Sequence, residues 1–115
     1  MAKLDRTQVD RELDQLLRRA IEERYLIRFR YKGKERIVEP HDYGIQKGID
    51  RLLCWQVGGQ SGNPIPGWRL IDVADMQNCE ILDRQFGGGR EVPGKHHRWE
   101  KVFIRVTPSK KGMSL

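Results

Sequence analysis

The sequence has little apolar material and no long hydrophobic run. Hydrophobic residues make up 37% of its 115 residues, and no apolar stretch approaches the ~20 residues that a membrane-spanning helix needs. The chain starts Met-Ala-Lys-Leu-Asp-Arg, which does not have the apolar core of a secretory signal. These absences favour a cytoplasmic protein with no membrane partner. The length suits one domain and excludes a multidomain enzyme or a β/α barrel of about 250 residues.

Cysteine is scarce as well, with only Cys54 and Cys79 present. Each stands in an apolar, strand-like context, so both are interpreted as reduced core residues, because a free cysteine behaves as a small hydrophobic side chain. The two do not make a zinc pattern, and no third ligand joins the adjacent His96 and His97, which would point to opposite faces of a strand. The sequence therefore predicts neither a metal nor another cofactor.

Positive charge is what the sequence has in excess, and it is unevenly spread. The chain carries 22 Lys and Arg against 16 Asp and Glu, a net charge of +6. Residues 1–24 are balanced, residues 25–86 carry +1 and residues 87–115 carry +5. A basic block of this kind attracts phosphates or acidic partners, although it can also serve only as a solubilising tail.

The hydrophobic pattern starts with the period of a helix and then changes to that of strands. A helix is predicted over residues 7–24, with Thr7 as its N-cap, because its apolar side chains recur at spacings of three and four residues. They are Val9, Leu13, Leu16, Leu17, Ala20 and Ile21. From residue 25 to residue 31 the apolar and aromatic side chains alternate with basic ones, which is typical of a strand with one buried face.

Four more short strands follow between turn-forming residues. They are predicted at 36–39, 51–57, 68–71 and 78–82. Pro40 either ends the strand at 36–39 or places it at an edge of the sheet, and the strand can resume at 43–48. One helix and five short strands predict a mainly β protein with a bent antiparallel sheet, a lid helix and a partly closed barrel. Three glycines at 87–89 separate this domain (1–86) from a basic extension (87–115) with a strand-like run at 99–106.

Four segments in order resemble the WYL domain, a small Sm-like barrel of bacterial regulators. They are Ile27 to Tyr31, Arg36 to Pro40, Trp68 to Val73, and Phe86. The resemblance covers residues 20–86. The tripeptide that names the family would fall at Arg51-Leu52-Leu53, where only the leucine matches. Only about 24 residues precede the predicted barrel, too few for the helix-turn-helix that such regulators carry. The resemblance therefore implies a stand-alone barrel that senses a ligand or binds nucleic acid. Any DNA-binding function would belong to a separate partner protein.

Arginine supplies the candidate site residues. Between residues 28 and 36 there are five positive charges and one negative charge, and Arg28 and Arg30 lie on one face of the first strand. Guanidinium groups fit phosphate oxygens two at a time, and aromatic rings stack on bases. The resemblance implies that Arg69, with Tyr31 beside it, is the core of a basic pocket. Trp99 joins the candidates because it follows Lys95-His96-His97-Arg98 in the basic extension.

The sequence favours a regulatory binding module, linked to transcription, over an enzyme. The expected ligand is nucleotide-like, or single-stranded nucleic acid, bound through Arg28, Arg30, Tyr31, Arg69 and Trp99. In the plainer interpretation, Arg28 and Arg30 are solvated or paired with carboxylates such as Glu39, Asp42, Asp72 or Asp75. A second hypothesis is a protein-interaction module, including a homodimer formed through the helix or through residues 99–106. A small-molecule enzyme is least supported, because no nucleophile or carboxylate pair stands in a catalytic setting.

Overall fold

A computed structural model of the chain describes residues 10–93 and 98–108. One helix, α1 (Arg11–Glu23), precedes six strands. The strands are β1 (Tyr25–Tyr31), β2 (Lys34–Gln46), β3 (Ile49–Gly59), β4 (Gly67–Asp72), β5 (Gln77–Gln85) and β6 (Lys101–Arg105). A 3-10 turn, Val73–Asp75, links β4 to β5. The protein is therefore mainly β with one N-terminal helix, as the sequence predicts.

The helix begins later than its apolar pattern suggests. Its N-cap is Asp10, whose carboxylate accepts a hydrogen bond from the backbone N–H of Glu12 at 3.3 Å. The predicted cap, Thr7, lies outside the described residues. Arg24 ends the helix in the left-handed conformation, at φ 62°. Leu17, Ala20 and Ile21 are buried against the sheet, so the predicted apolar stripe is the face that packs.

All six strands form one bent antiparallel sheet. Its order is β4-β3-β2-β1-β5, and β6 pairs with β2 beyond the end of β1. In the part of the chain that the structure describes, β4 and β5 do not pair with each other, so the sheet does not close into a barrel. The prediction of five strands within residues 1–86 and a further strand-like run at 99–106 agrees with the number observed, but the strands are not all short, because β2 has 13 residues and β3 has 11.

Pro40 explains the error over β2. Proline lacks a backbone N–H and usually ends a strand or lies at an edge. Here β2 continues through Pro40, because this residue lies between the parts of β2 that pair with two different strands on the same side. β2 pairs with β1 as far as Val38 and with β6 from Asp42 onward. The register against β3 also shifts between Pro40 and Asp42. The backbone N–H that Pro40 lacks is thus missing where the strand pairing is already interrupted. β2 pairs with β1 through its first part and with β6 through its second part.

Candidate anion-binding site

The exposed basic face of β1 is neutralised by glutamates. The Arg28 guanidinium donates two hydrogen bonds to the Glu80 carboxylate, and its Nε lies 3.5 Å from Glu35. The hydrogen bond and charge of Glu80 raise the pKa of Arg28. Arg30 donates to the carbonyl of Gly33 at 3.1 Å. Both arginines line a shallow groove of about 300 Å³ whose rim also carries Glu35 and Glu80. This groove therefore offers an anion no net positive charge from these four side chains.

Tyr31 lies on the other, buried face of β1. Its side chain packs edge-on to Phe29, with the ring centroids 6.4 Å apart. Its hydroxyl accepts a hydrogen bond from the backbone N–H of Asp72 at 3.2 Å, which ties the end of β4 to the end of β1. The Arg36 guanidinium lies 5.5 Å from the ring centroid of Tyr31. Tyr31 is thus separated from Arg28 and Arg30 by the sheet, although all three belong to one strand.

Arg69 holds the loop that follows β3. Its Nη2 donates to the carbonyls of Asn63 and Pro64, at 3.2 and 2.9 Å, and its Nε lies 3.1 Å from the Ser61 hydroxyl. These contacts draw residues 60–66, the covering loop, over the guanidinium. Gly67 leaves the space that Arg69 needs, because a Cβ at that position would lie 2.8 Å from Nη1.

Arg36 is the functional candidate that the sequence analysis did not select. It is only 7% exposed, and its Nε is buried without a hydrogen-bond partner among the described residues. Its Nη1 donates to the Gln56 side-chain oxygen at 3.2 Å, and the same oxygen accepts from Arg69 Nε at 3.0 Å. The Gln56 amide nitrogen donates to the carbonyls of Gly58 and Gln60, which fixes the direction of the amide. Gln56 thereby joins the two guanidinium groups, which are called here the arginine pair.

The register of the first hairpin could have located Arg36. Lys32 and Gly33 form a two-residue turn with positive φ angles of 52° and 75°, as tight hairpins require. That turn places Arg36 opposite Phe29, on the buried face. The sequence analysis counted Arg36 in the basic run but did not extend the alternation across the turn.

Among the described residues, no carboxylate lies within ion-pair distance of the arginine pair. Burial lowers the pKa of Arg69, and the nearby charge of Arg36 lowers it further. Buried cations are normally paired, because an uncompensated charge in a protein interior is costly. An anionic group at this position would relieve the repulsion and supply an acceptor for Arg36 Nε.

Trp99 is remote from the arginine pair along β2. It is half-buried just before β6, and the next residue, Glu100, donates its N–H to the carbonyl of Ile45 at 2.8 Å. Ile45 and Arg36 are nine residues apart on the same strand, a path of about 30 Å at 3.3 Å per residue. The five predicted site residues therefore lie in three places: Arg28 and Arg30 on the exposed face of β1, the buried Tyr31 and the partly buried Arg69 on the opposite side of the sheet, and Trp99 near β6. Lys95, His96 and His97 lie outside the described residues.

A second polar cluster forms where the C-terminal extension meets β2. His41 is 1% exposed, and its Nε2 accepts a hydrogen bond from the backbone N–H of Arg90 at 3.0 Å. Its Nδ1 therefore carries the proton and donates to the Glu39 carbonyl at 3.1 Å. The ring lies edge-on to Trp68 and stacks on Phe86. This geometry needs neutral histidine, because protonation would place a second N–H against the Arg90 donor.

Acid should weaken the fold through His41. Burial lowers its pKa below the usual 6.5 and Arg90 acts in the same direction, against the opposing charges of Glu39 and Asp42. The unfolded chain therefore binds a proton at His41 more readily than the folded protein does. The contribution of neutral His41 to the free energy of unfolding is thus complete above about pH 6.5 and is lost as pH falls toward the folded-state pKa. The free energy of unfolding should fall by at most about 1.4 kcal/mol per pH unit from this one group. Urea unfolding between pH 8 and pH 5 measures it.

The matched control for this acid effect is His41→Gln, which cannot titrate at that position. We expect the stability difference between the wild type and the variant to shrink as pH falls. A difference that stays constant from pH 8 to pH 5 would show that His41 does not titrate in this way.

Both cysteines are free thiols, as the sequence predicts. Cys54 is fully buried and donates to the carbonyl of Arg69 at 3.7 Å. Burial raises the pKa of both thiols, that of Cys79 to about 12. Since the thiolate is the reactive form, neither thiol is primed for nucleophilic chemistry at neutral pH.

Comparison of the chain with models of protein families, with curated proteins and with solved structures gives no significant match. The described part of the chain contains no helix that is long and apolar enough to span a bilayer.

Proposed function

We propose that this protein is a binding module whose arginine pair, Arg36 and Arg69, receives a phosphate of a nucleotide-like ligand or of single-stranded nucleic acid. The observation that carries the proposal is the Nε of Arg36, which is buried without a hydrogen-bond partner next to a second guanidinium, while neither arginine forms an ion pair among the described residues. Structural arginines usually meet carboxylates, as Arg28 and Arg51 do in this same sheet. The resemblance to the WYL domain supports the same function, and with it an Sm-like arrangement of the open, bent sheet and a cytoplasmic regulatory role.

Ligand binding at this position involves the covering loop. The carbonyls of Asn63 and Pro64 now accept from Arg69 Nη2, in positions that phosphate oxygens could take. A phosphate would make stronger, charge-assisted hydrogen bonds than these neutral carbonyls. Tyr31, beside Arg36, offers an aromatic edge for a base or sugar. We therefore expect the loop to move outward when the ligand enters, while Gln56 continues to hold the two guanidinium groups together.

Binding can be tested by fluorescence anisotropy with labelled single-stranded DNA and RNA, and by calorimetry with mononucleotides, at two salt concentrations. Affinity should fall as salt rises, because neutralised phosphates release counterions. Arg69→Gln should lower affinity by about 10- to 100-fold, the equivalent of one charge-assisted contact of roughly 1.5–3 kcal/mol. Arg36→Gln should have an effect of the same order.

The matched control is Arg28→Gln, which removes an equal charge from the glutamate-neutralised face of β1. It should leave affinity within about twofold of the wild type. If no probe binds at low salt, the proposed function is wrong. If Arg28→Gln weakens binding as much as Arg69→Gln does, nonspecific charge rather than the arginine pair attracts the ligand.

A further inference from the structure

Two carboxylates on β2 are buried, and among the described residues their ion-pair partners both belong to the C-terminal extension. The side chains of Glu39 and Asp42 are 9% and 5% exposed. Arg90 forms two hydrogen bonds with Glu39, at 2.8 and 3.1 Å, and Arg105 forms one with Asp42, at 3.1 Å. Because these carboxylates are nearly out of water, an arginine from elsewhere must meet each of them. This part of β2 is a receptor surface for an arginine-bearing segment.

The receptor surface also contacts the arginine-bearing segment through an aromatic ring, a backbone hydrogen bond and strand pairing. The Arg90 guanidinium lies 4.8 Å from the ring centroid of Trp55, within cation–π distance, while its backbone N–H donates to His41. Around Arg105, β6 adds to β2 as an antiparallel strand, from Asp42 opposite Arg105 to Ile45 opposite Lys101, with a register shift between Tyr43 and Gly44. Gly89 donates its N–H to the carbonyl of Thr107 at 2.7 Å, which joins the two parts of the extension. Charge, aromatic contact and strand pairing thus act together.

The link between this segment and the rest of the domain is made of glycine. Phe86, directly after β5, is buried, and Gly87, Gly88 and Gly89 follow it without side chains; Gly88 is buried as well. Gly88 has φ 126°, a conformation that other residues rarely adopt. The anchoring contacts begin only at Gly89 and Arg90. The link can therefore change direction without breaking any side-chain contact of its own.

We propose that two copies of this chain exchange their extensions, so that Arg90 and Arg105 of one copy dock on Glu39 and Asp42 of the other. The contacts that hold the extension are the same whether it comes from its own chain or from a second one, which is the condition for segment exchange. The occupant is a second copy because the receptor surface needs two arginines, 15 residues apart, with the second inside a β-strand. The chain's own extension meets that requirement, and its net charge of +5 complements the two carboxylates.

The first experiment refolds the wild-type chain from denaturant at high and at low protein concentration and measures mass by light scattering after size exclusion. Refolding at high concentration should yield a dimer that persists on dilution, because release of the segment requires breaking both ion pairs and the β6 ladder. Monomer alone at every concentration would overturn the proposal.

The second experiment identifies the exchanged contact by charge reversal. Glu39→Arg and Arg90→Glu should each disrupt docking within one copy, whereas an equimolar mixture restores both pairs between copies. We expect the mixture to refold into a heterodimer with a higher melting temperature than either variant alone. The double variant, Glu39→Arg with Arg90→Glu, restores the pair within one chain and serves as the folding control. A mixture that behaves as the sum of its components, beside a folded double variant, would rule out exchange through this contact.

Discussion

Deleting residues 87–115 should unfold the protein or bring it close to unfolding. The deletion removes both counter-charges from Glu39 and Asp42, which are buried in the full chain, and removing one partner of a buried ion pair costs about 3–5 kcal/mol. Arg90 and Arg105 are themselves about half exposed, so roughly 2–3 kcal/mol each is the appropriate range here. The deletion also removes Phe103, Ile104 and Val106, which pack on the core. A domain with a total stability of about 5–15 kcal/mol has little left after such losses.

Urea unfolding followed by circular dichroism measures this effect. The variant Arg90→Gln with Arg105→Gln separates the two causes, because it removes the counter-charges and keeps the apolar contacts and β6. It should retain a cooperative transition at a lower urea midpoint. If the deleted protein unfolds at the wild-type midpoint, the extension is not part of the stable structure. Loss of ligand binding on deletion would therefore report the loss of folded structure together with the loss of the basic charge of residues 87–115.

Replacing Gly44 with alanine should detach β6 from β2. A Cβ at this position would lie 2.1 Å from the carbonyl oxygen of Lys101 and 2.9 Å from the Cα of Val102. Both are backbone atoms, so no side-chain movement relieves the overlap, and the strand itself must shift. Overpacking typically costs about 1–3 kcal/mol, and the upper part of that range applies where backbone must move.

Gly62→Ala is the matched control for this substitution, because no atom lies within 4 Å of a Cβ built there. It should change the urea midpoint little, whereas Gly44→Ala should lower it clearly. Amide hydrogen exchange should also quicken along Lys101 to Arg105 in Gly44→Ala, since the β2–β6 ladder protects those amides. Equal midpoints for the two variants would mean that β6 does not lie against Gly44.

The sequence predicted local structure well and long-range placement poorly. The change of period at Tyr25 located the junction of helix and sheet, and the glycine turn at 33 located the first hairpin. Pro40 was interpreted as ending its strand or placing it at an edge; the strand does not end there, and it does resume over residues 43–46, because the effect of a proline depends on which strands lie beside it. The strand-like run at 99–106 was recognised and corresponds to β6, but its pairing with β2 joins residues more than 50 positions apart. No local pattern specifies such a partner.

For the candidate site as well, the sequence indicated the local pattern but not the long-range contacts. Arg69 and Tyr31 were selected through the resemblance; Arg69 belongs to the arginine pair, and Tyr31 lies beside it. Arg28 was selected for its place in a basic run, yet Glu80, 52 positions away, neutralises it. Arg36 was passed over although it belongs to the same run, because burial rather than charge distinguishes it. Charge density along a sequence does not show which cations the fold leaves without a counter-ion.

The aromatic contacts around Arg90 provide a built-in optical signal. Trp55 lies under the Arg90 guanidinium, and Trp68 lies 5.1 Å from Trp55 and 4.9 Å from the His41 ring, measured between centroids. Indole emission responds to nearby charge and to contact with water, so undocking of the extension should change the intrinsic fluorescence of these two rings. Trp99 belongs to the extension itself, and its replacement by phenylalanine would leave Trp55 and Trp68 as the two reporters. Exchange between copies could then be followed in real time without attaching a dye.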